Sequence, residues 1–147
     1  MSKTALTKQI ELDLFGYTKS GNAGIYGAYE VTFGAAYGDE RVDYVTLKSN
    51  GEISCYEIKV SKFDFHSKAK LSFYGDYNYF VMPEELYEEV KSEIMRKLGV
   101  TRMSDEAFAD YAGIHVNTLK RALKGQNCGV NTLVKICDAL DIKLTFE

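Results

Sequence analysis

Apolar positions follow two different rhythms along this chain. In residues 4–15, Leu6, Ile10, Leu14 and Phe15 recur at helical spacing and predict an amphipathic helix, which "GYTKSGNAG" then breaks. From residue 25 the period drops to two. "IYGAYEVTF" (25–33), "RVDYVTLK" (41–48) and "EISCYEIKVS" (52–61) predict three strands, with "AAYGDE" as a loop and "SNG" as a turn. "DFHSKAKLSFYG" reads as a helix ended by Gly75, and "YNYFVMP" (77–83) as a fourth, central strand. Pro83 opens a helix through "EELYEEVKSEIMRKLG", with Glu84 and Glu85 at the positive end of its dipole. Three helical segments follow: "MSDEAFADYAGI", "VNTLKRALKG" and "VNTLVKICDALD". The predicted fold class is α+β, with an α-β-β-β-α-β core at residues 1–92 and an all-α domain at 93–147.

Strand three carries an anomaly. Glu57 and Lys59 sit two apart in an otherwise apolar run, on one face of the pleat. Whether Asp43 joins them depends on the turn. A two-residue Asn50-Gly51 loop would set Asp43 across from Ile58, on the far face from Glu57. A three-residue loop, Ser49-Asn50-Gly51, closed by Gly51 with positive φ, sets Lys48 across from Glu52 and Asp43 across from Glu57. "SNG" suits the second loop, and the β-carbons of the two acids are then about 5 Å apart. Facing carboxylates repel, and a divalent cation relieves that repulsion. Lys59 is placed to hold an attacking water or to neutralise a phosphate. Asp43, Glu57 and Lys59 thus suggest a phosphodiester-hydrolysing cluster, and Glu30 joins it if strand one pairs with strand two. The competing interpretation is that Glu57–Lys59 and Asp43–Arg41 are ion pairs on a solvated face, where such pairs contribute little.

Composition narrows the classes. The chain has 147 residues, 46% of them hydrophobic, and a net charge of −3. No run of about 18 apolar residues predicts a membrane span, and the start lacks the apolar core of a secretory signal. Cys55, Cys128 and Cys137 show neither paired nor metal-binding spacing, so a reducing, cytoplasmic setting is expected. Charge is uneven: residues 1–90 hold nine Lys and Arg against fourteen Asp and Glu, whereas residues 91–147 hold nine against seven. Two units with different partners are implied.

The spacing from "RVD" to "EIK", with the element order around it, resembles the D-x(n)-(D/E)-x-K signature of the PD-(D/E)XK nuclease superfamily. "YEIKVSKFDFHSKAKLSFYGDYNYFVMPEEL" is similar to its MmcB-like branch of DNA-repair and phage nucleases. The resemblance implies Mg²⁺- or Mn²⁺-dependent cleavage of DNA. Asp43, Glu57 and the Ile58 carbonyl would be metal ligands, Lys59 the catalytic lysine, and Glu30 a strand-one acid. Lys68 and Lys70 follow on the next predicted helix, where they either touch phosphates or form a solvated face. His66 and Tyr74, Tyr77 and Tyr79 are expected to be surface and packing residues.

In the last third, Ser104 suits an N-cap, with Asp105 and Glu106 in the first turn after it. Gly113 sits at the joint of two short helices. The second helix carries His115, Asn117, Thr118, Lys120, Arg121 and Lys124, with no acid between residues 111 and 137. "EAFADYAGIHVNTLKRALKG" followed by "VNTLVKICDALDI" resembles the lambda-repressor/Cro-like helix-turn-helix family. That implies base reading by His115, Asn117 and Thr118, and phosphate contact by Lys120, Arg121 and Lys124. "SEIMRKLGV" would supply the first helix, and "KLTFE" a strand that pairs across a homodimer. The expectation is a phage- or mobile-element-like, DNA-directed nuclease. The alternative is a non-enzymatic regulator or counter-defence protein with an inactive nuclease-like domain, or a bundle that only packs or dimerises.

Overall fold

The structure, a computed structural model, describes residues 3–34, 40–66, 74–126 and 129–142. They fall into two compact units. One runs to Val60 and resumes from Tyr74 to Met82; the other takes Ser61 to His66 and the chain from Pro83 to Ile142.

The first unit opens with α1 (Ala5–Tyr17), capped by Thr4, whose hydroxyl accepts the Thr7 N–H. Strands β1 (Ile25–Phe33), β2 (Glu40–Lys48), β3 (Ile53–Ile58) and β4 (Tyr77–Val81) form one sheet in that order. The first three strands are antiparallel, and β4 runs parallel to β3. A row of tyrosines crosses all four strands in register. Tyr29, Tyr44, Tyr56 and Tyr79 stand with successive ring centroids 5.0, 5.6 and 5.2 Å apart. Tyr44 is fully buried, and its hydroxyl is satisfied by Thr18 and Ser20 just after α1. Tyr74 packs on Phe33 at 5.0 Å, while Tyr77 is exposed.

The turn between β2 and β3 is the three-residue one. The Gly51 N–H reaches the Lys48 carbonyl at 2.9 Å, the Lys48 N–H reaches the Glu52 carbonyl at 2.9 Å, and Gly51 has φ +89°. A side chain at that φ would strain the backbone, so the glycine selects the loop and the loop selects the register.

Several sequence expectations shift. Glu40, expected in a loop, begins β2 and is buried, because pairing with β1 extends to Phe33↔Glu40. Strand three is shorter than predicted, ending at Ile58. Of the helix expected from residue 64 to Gly75, residues 67–73 lie outside the described residues; its described start is earlier, where Ser61 caps α2 (Lys62–Phe65) through the Asp64 N–H. Gly75 ends no described helix. A β-carbon there would lie 2.5 Å from the Tyr77 carbonyl and 3.0 Å from the Cys55 nitrogen, so glycine permits a close backbone approach instead. Lys68 and Lys70 lie outside the described residues, as does "KLTFE".

In the second unit, α3 (Glu84–Thr101) is followed by α4 (Asp105–Tyr111), α5 (Val116–Leu123) and α6 (Val130–Ala139). Phe108, Leu119, Ile136 and Cys137 are fully buried at its centre. The Tyr87 hydroxyl donates to the Ala122 carbonyl, and the Lys97 ammonium donates to the Leu140 and Asp141 carbonyls at 3.3 and 2.8 Å. These bonds tie α3 to α5 and place a cation at the C-terminal end of α6, where the last carbonyls lack helical partners. The sequence division at 92/93 falls inside α3, whereas compactness groups the whole helix with α4–α6.

Candidate functional site

Pairing of β2 with β3 runs from Leu47↔Ile53 to Tyr44↔Tyr56. One further step of that register sets Asp43 across from Glu57. The backbone ladder stops there, and the Asp43 side chain continues it: Oδ2 accepts the Ile58 N–H at 2.8 Å. Beyond that point β3 is held from its other side by β4, through Ile58↔Val81 and the Lys59 N–H to the Val81 carbonyl at 2.9 Å. Asp43, Glu57 and Lys59 therefore gather where pairing between β2 and β3 ends.

Burial distinguishes this cluster from a solvated ion-pair face. Glu57 is 9% exposed and Lys59 4%, while Asp43 is half-buried. Burial is the main reason the Glu57 carboxyl is pushed up to about 8, with the Asp43 charge next; Lys59 pulls it back. The Glu57 Oε1 is buried without a hydrogen-bond partner. An acid with an open, buried oxygen facing a second acid suits a hard cation, and at neutral pH a proton answers the same repulsion. Among the described residues, no three His, Cys, Asp or Glu side chains are grouped to hold a metal. The side chains here offer two carboxylates, so the Ile58 carbonyl and water would have to complete a shell.

Glu30 is brought to the neighbourhood but turned to other partners. It stands between Tyr29↔Tyr44 and Val31↔Val42 on β1, with φ +51°. Its carboxylate pairs with Lys3 at 2.8 Å and Arg41 at 3.9 Å. Lys3 first, and then Arg41, hold it below the usual carboxylate range. Arg41 thus pairs with Glu30, whereas the competing interpretation paired it with Asp43. Sequence reasoning missed Glu40, a buried acid whose charge also raises Glu57. No local signal marks it, since it ends the polar-looking stretch "AAYGDE". His66 lies in the second unit, edge-on to Phe65 and 3.9 Å from Glu93.

The second constellation lies on α4 and α5. Ser104 caps α4 by accepting the Ala107 N–H. The helix ends with the Ile114 N–H bonded to the Ala109 carbonyl and the Gly113 N–H to the Asp110 carbonyl, with Gly113 at φ +64°. This glycine lets the chain turn sharply into α5. Leu119 and Ala122 are buried, while Asn117, Lys120, Arg121 and Lys124 form an exposed stripe at spacings of three and four. Thr118 is half-buried. His115 is exposed and caps α5, its Nδ1 accepting the Asn117 N–H at 3.2 Å. The capping role was not foreseen, because histidine is an uncommon N-cap. Lys135 reaches the Gly113 carbonyl at 3.1 Å and joins α6 to the turn.

No curated protein and no solved structure matches the chain. No helix among the described residues is long and apolar enough to cross a membrane. A glycine-jointed helix pair, a buried apolar centre and an exposed polar-basic second helix agree with a family-model match: residues 93–145 match the Cro/C1-type HTH DNA-binding domain.

Proposed function

We propose that the chain is a divalent-cation-dependent deoxyribonuclease brought to DNA by its helix-turn-helix domain. The observation that carries this reading is the junction of β2 and β3. Asp43 faces Glu57, Glu57 keeps a buried oxygen without a partner, and Lys59 is buried beside them. Asp43 and Glu57, with the Ile58 carbonyl, would hold Mg²⁺ or Mn²⁺. Such an ion, when bound, polarises a phosphoryl oxygen and lowers the pKa of water. Asp43 is oriented by the Ile58 N–H, which donates to its Oδ2 at 2.8 Å. Lys59 offers a buried positive charge to the phosphate as negative charge develops. Burial excludes bulk water and strengthens each of these electrostatic effects.

The test is nicking of supercoiled plasmid with Mg²⁺ or Mn²⁺. The intact protein is expected to nick, and Asp43→Ala and Lys59→Ala to lose activity by at least about a hundredfold. Nicking that persists in both variants would remove the assignment.

A second reading is a DNA-binding regulator without hydrolysis, favoured by the match over residues 93–145. It predicts salt-sensitive retention of intact DNA, unchanged by Asp43→Ala. A homodimer belongs to either reading and is tested by mass in solution.

A further inference from the structure

The exposed stripe of α5 contains an internal competitor. Lys120 Nζ lies 3.2 Å from Glu106 Oε1 of α4, and both side chains are open to water, at 44% and 67% exposure. Glu106 stands in the first turn of α4, next to Asp105 and after the Ser104 cap, while Lys120 shares the exposed stripe of α5 with Arg121 and Lys124.

We infer that Glu106 is a specificity-determining residue: it occupies Lys120 and thereby withholds one cation from non-specific contact with DNA phosphates. The inference rests on DNA binding by α5, which both readings of function share. The physical basis is ion exchange. A lysine that meets a phosphate releases the counterion condensed on that phosphate, and each such contact steepens the dependence of log affinity on log salt by about 0.9. When Lys120 must first leave Glu106, the freed carboxylate attracts a cation from solution, which offsets the one released. An exposed ion pair is weak, so the exchange costs little where docking is otherwise well matched. It removes a contribution only from the sequence-independent grip, which widens the ratio of specific to non-specific affinity.

The experiment titrates the full-length protein with a short mixed-sequence duplex over a range of salt, for the wild type, Glu106→Gln, Lys120→Gln and the double variant. Glu106→Gln is expected to bind several-fold tighter at low salt and to steepen the salt slope by about 0.9. In the Lys120→Gln background the same change is expected to leave slope and affinity unaltered. An unchanged slope in Glu106→Gln overturns the inference, including where the thermal midpoint falls and the pair proves merely structural. An equal gain in both backgrounds also overturns it, since Glu106 would then act by simple repulsion of phosphate. A wild type with no salt-dependent retention would instead reject DNA binding by α5 itself, and the latch with it.

Discussion

Burial couples the protonation of Glu57 to stability and, in the proposed function, to cation binding. Burial first, and then the Asp43 charge, push its carboxyl up to about 8 from an ordinary value of 4.5. Between those values the folded state holds a proton that the unfolded chain has released. Glu57's contribution to stability is therefore fully present below about 4.5 and is lost as pH rises through about 8, at roughly 1.4 kcal/mol per unit. The thermal midpoint should decline as pH climbs through that window, and Glu57→Gln should flatten the decline. A profile identical in the variant would show that Glu57 is not the group responsible. A divalent cation at the pair must displace the same proton. Mn²⁺ titrated in buffers of different ionisation enthalpy near neutral pH should release close to one proton per ion, and less as pH is raised past about 8. At this scale the sequence exposed Asp43, Glu57 and Lys59 through their spacing. Glu40 stayed hidden because nothing local shows that a polar loop end is drawn into a strand and buried.

Among the elements, the turn at Ser49–Gly51 has the most consequence. Its type decides whether two acids share one side of the sheet. Gly51→Ala places a β-carbon in the left-handed region at a cost of about 1–2 kcal/mol. The denaturant midpoint should fall accordingly. Mn²⁺ affinity should fall with it if the strained loop relaxes into another register; full affinity in the variant would mean that strand pairing alone holds the register. This loop was legible from "SNG" because turn chemistry is local. The start of α2 and the role of Gly75 were not. Ser61 supplies the cap that starts α2 early, and Gly75 serves a close backbone contact that local pattern cannot reveal.

For the whole molecule, the proposed function assigns separate chemistries to the two units, and these should be separable by substitution. Replacing Arg121 and Lys124 by Gln should lower duplex affinity and reduce the salt slope by up to about two, since each lost phosphate contact removes about 0.9. The heat of Mn²⁺ binding should be unaltered by those changes. A loss of Mn²⁺ binding in these variants would show that the two sites depend on one another.

Local chemistry determined much of this protein before any fold was seen. Period-two and helical spacings set the element order, caps and glycines set most of the ends, and the matched residues 93–145 set the DNA-binding domain. Tertiary structure decided what depends on neighbours distant in sequence. It buried Glu57 and Lys59 rather than leaving them on a wet face, gave Glu30 to Lys3 and Arg41, and paired Lys120 with Glu106. The reason is that a residue type specifies what a side chain can bond to, whereas burial and charge balance depend on which other segments pack against it.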